Sequence, residues 1–228
     1  MRYIGGKHRI AKQLAQAILP YREGRRFLEP FCGGLSATVA LQPDVASDAS
    51  EPLIKLIEAV RSGWEPPAKI DFYTWKENRR QNTPIGALVS HGLGFGGDWN
   101  GYYARDNRRD TTGDATRALL RKVEATRNVQ FLHRSYEQVD VQYGDLIYCD
   151  PPYAGTTNGY ATGPFDSEAF WDWAKWAGDT CGALVFISEF NGPDWVEVHA
   201  EFPSRTNLHK RDASQQATVE KLFRVGDH

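Results

Sequence analysis

An apolar run of four residues, Leu146–Cys149, ends directly in the tetrapeptide Asp150-Pro151-Pro152-Tyr153. The run has the length and composition of a buried strand of a parallel sheet. Proline has no N–H to donate to a neighbouring strand, so we predict that the strand stops at Cys149. Open α/β sheets bind ligands beyond the carboxyl ends of their strands. The Asp150 carboxylate is therefore predicted to face a ligand.

The tetrapeptide combines hydrogen-bond acceptors with an aromatic ring. The Asp150 carboxylate and the carbonyls of Asp150 and Pro151 accept hydrogen bonds, and Tyr153 offers a ring for stacking. An exocyclic amino group on a nucleobase needs acceptors for its hydrogens and a stacking partner for its ring. Such hydrogen bonds favour a more tetrahedral nitrogen, whose freer lone pair can attack a methyl group in line. The simpler alternative is a strand followed by a proline turn with a solvated aspartate.

A strand, glycine turn and helix are predicted nearer the N-terminus, in the segment Phe27-Leu28-Glu29-Pro30-Phe31-Cys32-Gly33-Gly34 and the following residues 35–41. Such a unit brings backbone N–H groups close to a ligand. The Gly-x-Gly-x-x-Gly spacing is absent, which disfavours NAD. The next predicted strand, Val45–Asp48, ends in an acid about fifteen residues after the glycines. Asp48 is thus a candidate for binding ribose hydroxyls; its alternative is to cap the helix predicted over 51–60.

The chain begins with the segment Tyr3-Ile4-Gly5-Gly6-Lys7, followed by a predicted amphipathic helix. This segment is not a Walker motif, because the Gly-x-x-x-x-Gly-Lys-Ser/Thr spacing is absent. Organised sequence starts at Tyr3 and no long apolar run follows, so we expect neither a signal peptide nor a membrane segment. A cytoplasmic protein is the expectation.

In order along the chain, four segments resemble the motifs of Dam-type DNA adenine-N6 methyltransferases. They are Tyr3-Ile4-Gly5-Gly6-Lys7, the glycine segment from Phe27 to Gly34, Ser47-Asp48 and Asp150-Pro151-Pro152-Tyr153. The resemblance covers residues 3–153, and a strand predicted over 184–188 continues the family's sheet. It implies an α/β fold: a Rossmann-like S-adenosylmethionine methyltransferase, with a mostly parallel sheet, helices on both faces and a small inserted target-recognition domain.

The resemblance also implies a cofactor and the residues that bind it. The cofactor is S-adenosylmethionine, the product is S-adenosylhomocysteine, and no metal is implied. Carried over by position, the cofactor-binding residues are Tyr3, Lys7, Glu29, Phe31, Gly33, Gly34, Asp48, Tyr136 and Asp150. The residues implied for methyl transfer to a flipped-out adenine are Asp150, Pro151 and Tyr153. For Glu29, a helix-capping or loop role is the alternative.

The charge distribution predicts where double-stranded DNA binds. Residues 71–127 hold ten Lys or Arg and seven Asp or Glu, whereas the whole chain has a net charge of −2. The glycine- and aromatic-rich stretch 92–103 loosely resembles the family's segment ahead of a DNA-contacting hairpin. We predict a recognition insert over 62–117, between catalytic segments 1–61 and 118–228. A helix predicted over 114–126 connects the insert to the second catalytic segment. The candidate DNA-binding residues of the insert are Lys76, Arg79, Arg80, Arg105, Asn107, Arg108 and Arg109.

Several alternatives stay open at this point. An N4-cytosine methyltransferase uses the same amino-group chemistry, though usually with Ser in the place of Asp150. An RNA methyltransferase, or a catalytically silent nucleic-acid-binding protein, would share the fold. Cys32, Cys149 and Cys181 lack the spacing of a metal site and are expected as reduced thiols. We expect a monomer, with dimerisation on DNA as the alternative.

Overall fold

Seven strands form one sheet at the centre of the protein. In the computed structural model, which describes residues 3, 5–104, 110–154, 161–203 and 219–226, their bounds are β1 (Phe27–Glu29), β2 (Val45–Asp48), β3 (Gln130–His133), β4 (Leu146–Cys149), β5 (Leu184–Glu189), β6 (Glu197–Pro203) and β7 (Val219–Val225). The spatial order is β3-β2-β1-β4-β5-β7-β6. The first five strands in this order are parallel, and β7 runs antiparallel to both of its neighbours.

The helices join these strands, and some of them lie in the segment predicted as the insert. Their bounds are α1 (Ala11–Ile18), α2 (Ser36–Leu41), α3 (Glu51–Arg61), α4 (Phe72–Asn78), α5 (Pro84–Ala87), α6 (Thr111–Ala125) and α7 (Ser167–Asp179). A π-helical turn, Leu88–Gly92, extends α5, and short 3-10 helices span Leu19–Tyr21, Phe95–Gly97 and Tyr136–Gln138. Side-chain caps start several helices; Asp110, for example, accepts a hydrogen bond from the Gly113 N–H at 2.9 Å.

Helices cover both faces of the sheet because successive side chains of a strand point to opposite faces. Phe27, Leu146 and Tyr148 pack against α1 and α2 on one face. Leu28 and Ile147 pack on the other face, against α7. These central side chains are almost fully buried, and burial of each contributes roughly 1.5–3 kcal/mol. The predicted Rossmann-like architecture, a mostly parallel sheet between helices, is confirmed.

The predicted elements differ from the observed ones mainly at their ends. The strand predicted over 184–188 reaches Glu189, and the helix predicted over 51–60 continues to Arg61. The helix predicted over 114–126 begins at Thr111, because the Asp110 cap starts it one turn earlier. The residues from Ile70 to Leu93 share one core with α3 and α6, where they pack beside side chains such as Leu53 and Leu119. The bounds 62–117 for the insert stay a prediction.

Candidate active site

Carboxylates stand at the ends of four neighbouring parallel strands. Asp48 ends β2, Glu29 ends β1, Asp150 follows β4 and Glu189 ends β5. Between β1 and β4 the strand order reverses direction, which is the switch point where α/β sheets bind ligands. A cavity of about 970 Å³ opens at this edge. Its size is at the upper end for a small-molecule site.

The structure brings all of the predicted cofactor and catalytic residues to the wall of this cavity. They are Tyr3, Lys7, Glu29, Phe31, Gly33, Gly34, Asp48, Tyr136, Asp150, Pro151 and Tyr153. They come from the N-terminal segment, from the turns after β1, β2 and β4, and from the 3-10 helix after β3. Their individual roles stay predictions.

The glycine turn after β1 is shaped by Tyr3. Gly33 has a φ of +43°, in the left-handed region that favours glycine. A Cβ on Gly34 would lie 2.4 Å from the Tyr3 Cβ, and one on Gly33 would lie 2.9 Å from the Tyr3 Cε1. Both glycines therefore allow the Tyr3 side chain to lie directly on the turn.

Asp48 holds the glycine turn to the turn after β2. Its Oδ2 accepts a hydrogen bond from the Gly33 N–H at 2.9 Å, and its Oδ1 accepts one from the Ser50 N–H at 2.8 Å. Burial raises the pKa of Asp48, and these two hydrogen bonds oppose that shift. The N-cap of α3 is Ser50, so the alternative role for Asp48 as the cap residue is wrong. A carboxylate oxygen can still accept a second hydrogen bond from a ribose hydroxyl.

Glu29 is a buried carboxyl group with unmet hydrogen-bonding capacity. It is 1% exposed, and within the described residues neither oxygen makes a hydrogen bond of ordinary geometry. Burial raises its pKa well above the usual value, and the nearby Thr38 hydroxyl partly opposes this shift. Within the described residues no helix N–H donates a hydrogen bond to it, so the structure gives no support to a capping role. A buried polar group without a partner is costly, and a ligand that donates hydrogen bonds would relieve the cost.

Asp150 is paired with Lys7. The Lys7 Nζ lies 2.6 Å from the Asp150 Oδ1, and the two side chains are 4% and 17% exposed. Burial raises the pKa of Asp150 to about 6, and the Lys7 ammonium limits that rise. The same ammonium lies 4.7 Å from the centroid of the Tyr153 ring. Lys7 therefore joins the first and the last of the four segments singled out in the sequence.

Two further carboxylates complete this part of the site. The Tyr153 hydroxyl donates a hydrogen bond to the Glu220 Oε1 at 2.9 Å, and Lys7 Nζ lies 3.5 Å from the same oxygen. The Glu189 Oε1 accepts a hydrogen bond from the Ala154 N–H at 2.6 Å, so it holds the residue that directly follows the tetrapeptide. Burial raises the pKa of Glu189, and its bonds to backbone N–H groups oppose the rise.

An aromatic wall closes the cavity on the α7 side. The Phe31 and Tyr136 rings stack at a centroid distance of 5.6 Å, and Phe165 and Phe170 pack edge-on against Phe31. Burial raises the pKa of the Tyr136 hydroxyl to about 12. Such a wall suits a flat heterocycle such as a purine, because aromatic rings attract one another in stacked and edge-on arrangements.

The predicted insert contacts Tyr3, which lines the cavity beside the glycine turn. The centroids of the Tyr3 and His91 rings lie 4.7 Å apart. The Trp99 ring also packs on His91, at a centroid distance of 5.2 Å. A Cβ on Gly97 would lie 2.8 Å from the Tyr3 Cα. His91 is fully buried, and burial lowers its pKa to about 4. The π-helical turn that carries His91 therefore abuts the N-terminal segment.

The candidate DNA-binding residues that the structure describes lie away from the cavity wall. Lys76 is exposed on α4, and the Arg79 guanidinium lies 4.5 Å over the Trp75 ring. Arg80 donates a long hydrogen bond of 3.4 Å to the carbonyl of Asn100. Near this surface Phe95 and Tyr102 are 68% and 84% exposed. The other candidates, Arg105, Asn107, Arg108 and Arg109, lie outside the described residues.

Three residues of this site were not predicted from the sequence. Glu189 directly follows an apolar strand, as Asp150 does, and that pattern could have indicated it. Glu220 and His91 carry no comparable signal, because one depends on an antiparallel strand pairing and the other on the packing of the insert.

Comparison with known families decides what kind of protein this is. The model of the family described as D12 class N6 adenine-specific DNA methyltransferase matches residues 3–84 and 94–185. The chain belongs to this D12 class. Each of the four segments singled out in the sequence lies within the matched residues, whereas Glu189 and Glu220 lie beyond them.

Individual proteins resemble this D12 family member more distantly. The type II methyltransferase M.FokI from Planomicrobium okeanokoites is 23% identical over 77% of this chain and 31% of that protein, so the chain spans about a third of its length. The solved structure of the rRNA methyltransferase aviRa from Streptomyces viridochromogenes superposes with a TM-score of 0.40 at 14% identity, over 94% of this chain and 83% of that chain. Among the described residues, no helix is long and apolar enough to cross a membrane.

Proposed function

We propose that this protein transfers a methyl group from S-adenosylmethionine to N6 of a flipped-out adenine in double-stranded DNA. The observation that carries the proposal is the pairing of Asp150 with Lys7, at 2.6 Å, in a cavity that also contains the glycine turn. Membership of the D12 family supports adenine N6 as the target, and Asp at position 150 favours it over N4 of cytosine. We further infer that the protein acts as a monomer in the cytoplasm of a bacterial or phage-infected cell.

The residues of the cavity fit S-adenosylmethionine. Its ammonium and sulfonium groups are positive, and Glu29 supplies a buried carboxyl group that lacks a hydrogen bond of ordinary geometry among the described residues. Asp48 would accept hydrogen bonds from the ribose, Tyr136 and Phe31 would contact the adenine, and Tyr3, Gly33 and Gly34 would line the methionine end. When bound, the cofactor supplies an electrophilic methyl group and leaves as S-adenosylhomocysteine.

Asp150 is the acceptor for the target amino group. Its Oδ1 is paired with Lys7, so we assign Oδ2 to one N6 hydrogen and the Pro151 carbonyl to the other. With a pKa of about 6, the carboxylate is largely ionised at neutral pH. A nitrogen that has gained a methyl group must lose a proton, and Asp150 is placed to accept it. Tyr153 would stack on the adenine.

Base flipping is required because N6 of a paired adenine is engaged in the base pair. Extrusion costs a few kcal/mol, which contacts elsewhere must offset. We assign these contacts to the insert over 62–117. Lys76, Arg79 and Arg80 would contact the DNA backbone there, together with Arg105, Asn107, Arg108 and Arg109.

Expression in a methylation-deficient bacterial host tests the proposal. Genomic DNA is sequenced by a method that reports N6-methyladenine and N4-methylcytosine with their flanking bases. We expect N6-methyladenine within one short motif. Methylated cytosine alone, or no modified base despite soluble protein, would contradict the proposal. Calorimetric titration with S-adenosylmethionine then separates an RNA methyltransferase from a silent binder, because a silent binder need not bind the cofactor.

A further inference from the structure

Glu220 contacts two of the groups to which the reaction is assigned. It is the second residue of β7, and its side chain is 12% exposed. Its Oε1 accepts the hydrogen bond from the Tyr153 hydroxyl at 2.9 Å and lies 3.5 Å from the Lys7 Nζ. A single carboxylate oxygen thus joins Tyr153 to the ammonium that pairs with Asp150.

The sheet topology places Glu220 at the ligand edge. β7 runs antiparallel to β5, with Ser188 opposite Leu222 and Glu189 opposite Lys221. The start of β7 therefore lies beside the carboxyl end of β5. Glu220 directly precedes Lys221, the partner of Glu189, and so lies one position beyond the end of β5. The residues that match the family model end at 185, so no role for Glu220 comes from that match.

Lys7 lies between two carboxylates and an aromatic ring. Its Nζ is 2.6 Å from Asp150, 3.5 Å from Glu220 and 4.7 Å from the centroid of Tyr153. Because the Lys7 side chain is 4% exposed, few solvent molecules compete for its ammonium. The Gly5 carbonyl also accepts a hydrogen bond from this ammonium at 3.0 Å, so the two acids and this carbonyl together set its direction.

We propose that Glu220 is a positioning residue for methyl transfer, which orients Tyr153 through its hydroxyl and holds Lys7 between itself and Asp150. The inference rests on the proposed function. Loss of Glu220 would let the Tyr153 ring turn away from the stacking position and would leave the Lys7 ammonium to Asp150 and the Gly5 carbonyl. Misplacement of a reacting group by about 1 Å can cost on the order of 100-fold in rate.

Glu220 also contributes to the electrostatic potential at the Asp150 carboxyl group. The groups that act on this carboxyl are Lys7, Glu220, Glu189, Glu29, Tyr148, Tyr153 and Cys149. Burial raises the pKa of Asp150 most, Lys7 lowers it, and the charges of Glu220 and Glu189 raise it. Removing the charge of Glu220 should therefore lower the pKa of Asp150.

Two substitutions separate the hydrogen bond from the charge. Glu220→Gln keeps an acceptor for the Tyr153 hydroxyl and removes the charge, whereas Glu220→Ala removes both. Tyr153→Phe removes only the hydroxyl. Glu197→Gln is the matched control, because Glu197 is exposed at the start of β6.

The first readout needs no activity. The carboxyl ¹³C signal of Asp150, assigned by its loss in Asp150→Asn, is titrated by NMR in the cofactor-free protein. We expect the Asp150 midpoint to move to lower pH in Glu220→Gln and to stay in place in Glu197→Gln. An unchanged midpoint in Glu220→Gln would overturn the charge coupling, whether or not the protein methylates DNA.

The second readout is the rate of methyl transfer to DNA against pH. We expect kcat to fall by about 10- to 100-fold in Glu220→Ala and by less in Glu220→Gln, with little change in the KM for S-adenosylmethionine. In Glu220→Gln the acid limb of the profile should move to lower pH. Glu220→Ala and Tyr153→Phe should be non-additive in combination, because both break one hydrogen bond.

The outcomes distinguish this inference from the proposed function. An inactive wild-type protein contradicts the proposed function, and the NMR titration still tests Glu220. An active wild-type protein whose Glu220→Gln and Glu220→Ala variants match it in kcat and in the Asp150 midpoint overturns the role of Glu220. If Glu220→Ala fails to fold, Glu220→Gln alone decides.

Discussion

The carboxyl edge of the sheet and the exposed surface of the insert differ in how their side chains are held. At the edge, Asp48, Asp150 and Glu189 each follow or end a buried strand, and backbone N–H groups or Lys7 hold their oxygens. On the insert, Tyr102 is 84% exposed, and Arg80 makes one long hydrogen bond to a carbonyl. Neighbouring protein groups therefore hold the side chains at the edge, an arrangement that suits chemistry at a single atom.

The difference teaches where substitutions should act on chemistry and where on binding. A displaced group at the edge changes the geometry around the reacting atom, so its effect on rate is large. Under the proposed function, a displaced arginine on the predicted insert would remove one contact of many to a phosphate backbone, so the expected effect is a modest loss of affinity. The two regions meet at Tyr3, which packs on both the glycine turn and His91.

The largest effect is expected for Asp150→Ala. The variant loses the proposed acceptor for the amino group, so methyl transfer should fall by about 100- to 1000-fold, by analogy with the removal of an oxyanion-hole donor. Asp179→Ala, at the exposed end of α7, is the control. Rates are measured with labelled cofactor, with folding checked by circular dichroism. Methylation near the wild-type rate in folded Asp150→Ala would show that the edge does not carry the chemistry.

A second prediction concerns His91, where the two regions meet. Burial lowers its pKa in the folded protein from about 6.5 to about 4, so folding favours the neutral ring. The contribution of the neutral His91 ring to the free energy of unfolding is fully present above pH 6.5 and is lost as the pH falls towards 4. Relative to His91→Phe, the wild-type free energy of unfolding should therefore drop by about 3 kcal/mol more over this range.

Urea unfolding at pH 7 and pH 4 measures the free energy of unfolding of both proteins. Comparing the two proteins removes the contribution of the carboxyl groups, because these titrate in both. Parallel pH dependence of wild type and His91→Phe would show that His91 is not held neutral at the junction.

A third prediction grades the contact between Tyr3 and the glycine turn. A Cβ at Gly34 would meet the Tyr3 Cβ at 2.4 Å, whereas one at Gly6 would meet the Tyr3 carbonyl oxygen at 3.2 Å. Overpacking costs about 1–3 kcal/mol, so Gly34→Ala should weaken cofactor affinity by roughly tenfold or more. Gly6→Ala should weaken it less. Calorimetric titration with S-adenosylhomocysteine measures both, and equal affinities in the two variants would refute the ordering.

The smallest effect is expected on the insert. Arg80→Ala should weaken DNA binding by a few-fold, lower the slope of log affinity against log salt by about one, and leave cofactor affinity unchanged. Fluorescence anisotropy with a DNA duplex at several salt concentrations measures both quantities. Arg127→Ala, which follows α6 and is 73% exposed, is the control. A loss in Arg127→Ala as large as in Arg80→Ala would place the DNA elsewhere.

The sheet edge and the insert also differ in how far the sequence predicts them. The bounds of β2 and β4 match the prediction, because short apolar runs end there in an acid or just before an acid and two prolines. Asp48 and Asp150 could be predicted because they end or follow such strands, whereas Tyr3, Lys7 and Tyr136 were implied by the resemblance to a known family. Glu220 was not predicted, since its place depends on the antiparallel register of β7 beside β5. His91 depends on tertiary packing of a π-helical turn, which has no sequence period.

The most direct test of the central claim is made with purified protein. Unmethylated genomic DNA is incubated with S-adenosylmethionine that carries a deuterated methyl group, and the nucleosides are quantified by mass spectrometry for wild type, Asp150→Ala and Asp179→Ala. We predict deuterated N6-methyl-2′-deoxyadenosine for wild type and Asp179→Ala, and background levels for Asp150→Ala. Label on cytosine, or equal label on adenine for all three proteins, would contradict an adenine-N6 methyltransferase built around Asp150.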